Sequence, residues 1–187
     1  MPSKLHVIIT STRPGRIGPA VGKWFNSYAQ KHGGFDSTLV DLADFNLPVF
    51  DEPMHPRMQK YEHAHTKKWS ESVKSADAYV FVVPEYNYNP PPSFFNALNY
   101  VYNEWNYKVA GFVSYGGVSG GLRSAQVARS MATSLKLVTP PEGVPVPAVG
   151  ALLDDKKEFK GNDAIELSAK TLLDEMLKWD SALKTLR

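Results

Sequence analysis

Apolar positions along this chain follow two rhythms, and the alternation between them predicts its elements. Leu5–Ile9, Ala78–Val83 and Val109–Val113 are short runs, rich in β-branched residues and apolar at nearly every position. That pattern suits strands buried on both faces. Ser37–Leu42 reads as a further strand and Val144–Val149 as a weaker fifth. Between them the spacing changes to steps of three and four. Val21, Trp24, Phe25 and Tyr28 predict a helix stopped by Gly33 and Gly34. Met58, Tyr61, His65, Trp69, Val73 and Ala76 predict one over 58–76, and Phe94, Phe95, Leu98, Val101, Tyr102 and Trp105 one over 92–105. Further helices are predicted over 119–137 and after Asp163, where Asp163 and Glu166 read as an acidic capping box ahead of Ile165, Leu172, Met176, Leu183 and Leu186.

Five strands alternating with five helices imply an α/β fold with a parallel sheet covered on both faces. In open sheets of that kind, ligands bind beyond the carboxyl ends of the strands, near the topological switch point. Three loops therefore carry the candidate chemistry: Thr10–Gly18, Pro84–Pro92 and Ser114–Gly121.

Composition narrows the field. A chain of 187 residues suits one domain, 1–187, with a sizeable core. The formal net charge of +2 argues against a nucleic-acid binder, which would concentrate basic residues on one face. Without cysteine there is no disulfide, thiolate nucleophile or cysteine-ligated metal. No apolar run is long enough to span a membrane, and MPSKLHVIIT lacks the charge-then-apolar order of a secretory signal, so a cytoplasmic protein is expected.

The first loop, TSTRPGRIG, offers three hydroxyls, two guanidinium groups and the first free amides of a helix. Such a set matches a terminal phosphate. The glycine patterns for dinucleotide pyrophosphate and nucleoside triphosphate are absent. A βα loop whose hydroxyls merely cap the helix has a similar composition, apart from the two arginines. The second loop, PEYNYNPPP, presents amide, hydroxyl and aromatic surface suited to a planar heterocycle, stiffened by three prolines. A plain turn and helix start, with its aromatics in the core, is the alternative. In the third loop, SYGGVSGG, four glycines allow close backbone approach to a ligand.

Ser11-Thr-Arg13, Pro84-Glu-Tyr-Asn87, Asn96-Ala-Leu98 and Tyr115-Gly-Gly117, in this order, resemble the NADPH-dependent FMN reductase family over about residues 4–150. The resemblance implies a flavodoxin-like three-layer sandwich with a five-stranded parallel sheet in the order 2-1-3-4-5. It also implies bound FMN, NAD(P)H as co-substrate, and a small-molecule electron acceptor such as a quinone or azo compound. Ser11, Arg13, Arg16, Ile17 and Gly18 would hold the FMN phosphate. Pro84, Glu85, Tyr86 and Asn87 would line the isoalloxazine, with Ser114, Tyr115, Gly116 and Gly117 closing its other side. No catalytic side chain is expected, since the flavin carries the chemistry. The family also implies a homodimer or tetramer. Thr10, Phe95 and Asn99 depart from its usual residues, as does Asn89–Pro92.

Other features are read as structural. His63-x-His65 on a predicted helix would point its rings to different faces, so no metal site is expected. Lys67, Lys68, Lys156 and Lys157 read as solvated charge, and Trp69 and Trp105 as core or interface. Tyr100 and Tyr107 lie off the helical stripe and hint at a subunit contact. Rival functions are a flavodoxin-type electron carrier, against which the +2 charge counts, and a flavin-based redox-sensing interaction protein.

Overall fold

The computed structural model describes residues 2–187. Strands β1 (Ser3–Ile9), β2 (Phe35–Asp41), β3 (Ala78–Pro84), β4 (Val109–Tyr115) and β5 (Val144–Val146) form one parallel sheet in the order β2-β1-β3-β4-β5. Four helices connect them, α1 (Gly18–His32), α2 (Ala64–Ser75), α3 (Pro92–Tyr100) and α4 (Leu122–Ser134), and a fifth, α5 (Asp163–Leu183), follows β5. This is the order and layering expected of a flavodoxin-like fold.

The period-two geometry of β3 sorts its side chains between two cores. Ala78, Val80 and Val82 face α1 and α5, packing with Phe25, Leu172 and Met176. Tyr79, Phe81 and Val83 face α2, α3 and α4. That second core is aromatic. Phe81 meets Phe94 edge-on with centroids 5.3 Å apart and lies 6.0 Å from Trp105, while Trp69 and Trp105 are fully buried.

Three helices are shorter than the periodicity predicts. Residues 58–63 do not join α2; Pro56–Met58 forms a 3-10 turn, and His63 is an extended N-cap. The buried Glu52 carboxylate accepts the amides of Glu62 (2.8 Å) and His63 (3.0 Å), so a distant acid holds this backbone outside the helix. Because His63 is extended, its ring stacks on His65 (centroids 5.2 Å apart) instead of pointing to another face. Among the described residues no cluster has the make-up of a metal site.

Helix α3 ends at Tyr100, five residues early, since Val101 turns extended. Indole N–H groups of Trp69 and Trp105 donate to the Ala97 and Leu98 carbonyls there. Tyr100 is fully buried and donates to Pro48 O and Asp51, so it offers nothing to a subunit contact. Helix α4 spans 122–134 against a predicted 119–137, because Gly120 and Gly121 hold left-handed backbone at its start. At α5 the cap is Asn162, whose side chain accepts from Ile165 N at 3.0 Å; Asp163 sits one position inside.

At the amino-terminal edge of the sheet, Lys108 is buried and donates to Val73 O (3.2 Å) and Tyr79 Oη (2.9 Å). Burial, and then the charge of Arg187, push its ammonium down to about 8. Between about pH 8 and 10.5 the unfolded chain holds a proton here that the folded chain lacks, so this group adds stability as pH rises. Wild type is therefore expected to gain on Lys108→Met by about 1 kcal/mol per pH unit across that window. Denaturant unfolding of both proteins at pH 7, 8.5 and 10 checks it; parallel curves would refute the assignment.

Candidate functional site

Strands β1, β3 and β4 lie side by side, so the loops at their carboxyl ends converge. Thr10 continues the ladder by donating to Val82 O through both its amide (3.2 Å) and its hydroxyl (2.8 Å). Beyond it, no acceptor among the described residues pairs with a backbone amide of residues 11–13 or 15–18. These donors curl into the start of α1, where the helix dipole adds positive potential. Ser11 is buried, and its hydroxyl accepts from Tyr115 Oη at 3.2 Å, which ties β4 to this loop. Burial raises the Tyr115 phenol to about 12, keeping it a neutral donor. Gly18 completes the cradle: a Cβ there would come 2.4 Å from Ser11 Oγ and 2.9 Å from Tyr115 Oη.

The two arginines differ. Arg16 forks onto Asp41 at 2.7 and 2.8 Å and also donates to Ser11 O at 2.7 Å, so it shapes the loop from behind. Arg13 is exposed and has no carboxylate partner among the described residues; its Nε donates to Tyr86 Oη at 3.1 Å. It thus leans from the first loop towards the second.

Pro84 ends β3, and its carbonyl accepts from Ser124 Oγ at 2.8 Å. Tyr86 and Asn89 exchange backbone hydrogen bonds of 2.9 Å, and Asn87 (φ 49°) and Tyr88 (φ 70°) are both left-handed. That is a tight turn of type I′, unusual with a tyrosine at its second central position. The Glu85 side chain reaches α4 and the third loop. Its carboxylate is buried, with Arg123 on Oε1 (2.7 and 2.5 Å) and Ser119 donating to Oε2 (2.9 Å). Burial pulls this carboxyl upward, but the hydrogen bonds from Arg123 and Ser119 outweigh it and hold it below the usual range.

Ser114 is buried and donates to Gly120 O at 2.9 Å, closing the third loop on itself. Gly116 N donates to Val146 O, and a Cβ on Gly117 would meet only open space. The turn at 86–89 and this glycine edge thus stand side by side at the carboxyl edge of the sheet, next to the donor-rich loop. A groove of about 350 Å³, with Thr12, Asn46, Ser93 and Asn96 among its walls, opens beside that loop.

The sequence profile of the NADPH-dependent FMN reductases matches residues 3–150, which contain all three loops. The chain belongs to the NADPH-dependent FMN reductase family. An NAD(P)H-dependent FMN reductase of a Nectria species is 36% identical over 151 residues, covering 78% of this chain and 75% of that one. A Schizosaccharomyces pombe protein of the same description is 39% identical over 140 residues, or 74% and 70% of the two chains. Among solved structures, the flavoenzyme NAD(P)H:(acceptor) oxidoreductase FerB of Paracoccus denitrificans superposes with a TM-score of 0.76. It covers 96% of this chain and 98% of its own at 16% identity, a likeness of fold. An FMN reductase of this family is an oxidoreductase that uses FMN and NAD(P)H, and the donor-dense turn at residues 11–18, with the space a Cβ at Gly18 would fill, suits a phosphate group.

Sequence reasoning placed the three loops but missed Asp41, Ser119, Arg123 and Ser124, which hold them in place. No spacing rule marks these residues, because each reaches its partner only through the fold.

Proposed function

We propose that this protein passes two electrons from NAD(P)H through FMN to a quinone, azo compound or similar small acceptor, and that Thr10–Gly18 seats the FMN phosphate. The backbone amides of residues 11–13 and 15–18, which pair with no acceptor among the described residues and end on the dipole of α1, carry the reading. Ser11, Arg13 and the backbone of Arg16, Ile17 and Gly18 hold the phosphate. Pro84, Glu85, Tyr86 and Asn87 form one wall of the ring slot, and Ser114, Tyr115, Gly116 and Gly117 the other. When bound, the flavin supplies a carrier that takes a hydride from reduced nicotinamide and yields two electrons to the acceptor. The protein's part is position: the Tyr86–Asn89 turn and the glycine edge leave one ring face open to each substrate in turn. A homodimer acting in the cytoplasm belongs to the same proposal, supported by the family resemblance; among the described residues no helix is long and apolar enough to cross a membrane.

The test is spectroscopic. Protein loaded with FMN is expected to lose its visible flavin colour on anaerobic NADPH or NADH, and to recover it on adding a quinone or azo dye. Colour that bleaches only with a separate reductase would replace this reading with an electron carrier.

Arg13→Ala is expected to weaken FMN binding about tenfold, the scale of one charge-assisted hydrogen bond lost from a phosphate. Tyr88→Phe is expected to leave it unchanged, since Tyr88 is largely exposed and its hydroxyl has no hydrogen-bond partner among the described residues. Fluorescence titration with FMN distinguishes the two; equal losses would refute the phosphate assignment.

A further inference from the structure

Arg123 stands on the first turn of α4, just after the glycine loop, and contacts two residues of the loop after β3. Its guanidinium holds the buried Glu85 carboxylate through Nε (2.7 Å) and Nη2 (2.5 Å), and its Cζ lies 3.9 Å from the centroid of the Tyr88 ring. Ser119, in the glycine loop, donates to the other oxygen of Glu85 and also accepts the Gly121 amide at 3.3 Å. The Glu85 carboxylate thus joins the strained turn after β3 to α4 through Arg123 and to the loop after β4 through Ser119. A tyrosine with φ 70° pays for its left-handed backbone unless something holds the turn, and the stacked guanidinium does so.

From this we infer that Arg123 is a positioning residue of the flavin slot: acting through Glu85 and Tyr88, it anchors the wall after β3 to the start of α4 and so fixes where that wall stands against the glycine edge. The inference rests on the proposed seating of FMN and adds to it that the fit of the ring, as distinct from the phosphate, depends on a residue that touches neither. Arg123 is half exposed, but its partner carboxylate is buried, so loss of the cation leaves an uncompensated charge under the turn.

The test compares FMN with riboflavin, which carries the same ring without phosphate, by fluorescence titration of the flavin-free full-length protein. Arg123→Ala is expected to raise both dissociation constants by the same factor, about tenfold, on the scale of one buried charged hydrogen bond. Arg13→Ala is expected to weaken FMN alone. Arg123→Lys, which keeps charge but loses the stack and the second N–H, should recover part of the loss for both ligands. Ser119→Ala removes a neutral hydrogen bond from the same carboxylate and should weaken both about threefold, which keeps the inference testable if Arg123→Ala does not fold. Unchanged affinities in a folded Arg123→Ala, with only a lowered unfolding midpoint, would reduce the contact to ordinary stabilisation and overturn the inference. A loss confined to FMN would overturn it too. Wild type that binds neither ligand would instead remove the flavin seat itself.

Discussion

Gly121→Ala is expected to lower stability by about 3 kcal/mol and to abolish measurable FMN uptake, the combined result of backbone strain and overpacking. Gly121 has φ 78° and starts α4. A Cβ there would come 2.6 Å from Tyr115 N, 2.9 Å from Tyr115 O and 2.9 Å from Ser114 Cβ. Those atoms cannot yield cheaply: Tyr115 is the last residue of β4, paired with Pro84 on one side and Val146 on the other. Relief would move the glycine edge into the slot. Gly33 is the control, since it has φ 75° but a Cβ there would meet nothing within 4 Å. Gly33→Ala should show the left-handed cost alone, about 1 kcal/mol, with FMN binding intact. Denaturant unfolding and flavin titration of both variants decide the matter; matching behaviour would show that the third loop has slack.

Asp180→Ala is expected to cost about 3 kcal/mol while leaving FMN affinity unchanged in the folded protein. The Asp180 carboxylate is buried and gathers both ends of the described chain: Ser3 Oγ donates at 2.5 Å, Arg187 Nη2 lies at 2.6 Å and Lys184 Nζ at 3.3 Å. Removing it strips β1 and the last turn of their common acceptor. Lys184 remains half exposed and can be rehydrated, which keeps the cost at the low end for a buried ion pair. The cluster lies at the amino-terminal edge of the sheet and the slot at the opposite edge. An unfolding midpoint within error of wild type would contradict this account, as would an affinity that falls in step with stability.

The elements were legible because burial writes itself into periodicity. Val7, Val80, Val82 and Val113 are apolar in unbroken runs because helices cover both faces of their strands. Helix ends were less legible. α2 and α3 stop short because Glu52, Trp69 and Trp105 intercept backbone groups from afar. The capping signal at α5 was misread by one position, because Asn162 and Asp163 are both good caps and only the Ile165 amide chooses between them. Tyr100, off the helical stripe, reads as surface; in the fold its ring is covered by Phe50 and its hydroxyl is held by Asp51.

The same division runs through the site. By itself, the sequence determined which strands form the buried sheet, which three loops carry hydroxyls, guanidinium groups, amides and glycines, and, by resemblance, the family. These are local properties, set by residue type and spacing within one segment. Only the tertiary structure decided what each charge does. Arg13 and Arg16 are three residues apart and look interchangeable, yet Asp41 at the end of β2 takes one and leaves the other exposed. Glu85 reads as part of a flavin wall, and the fold turns its carboxylate towards Arg123, 38 residues along the chain. A buried charge must find its partner wherever the sheet order brings one close, and strand adjacency in the order β2-β1-β3-β4-β5 is a property of the whole chain.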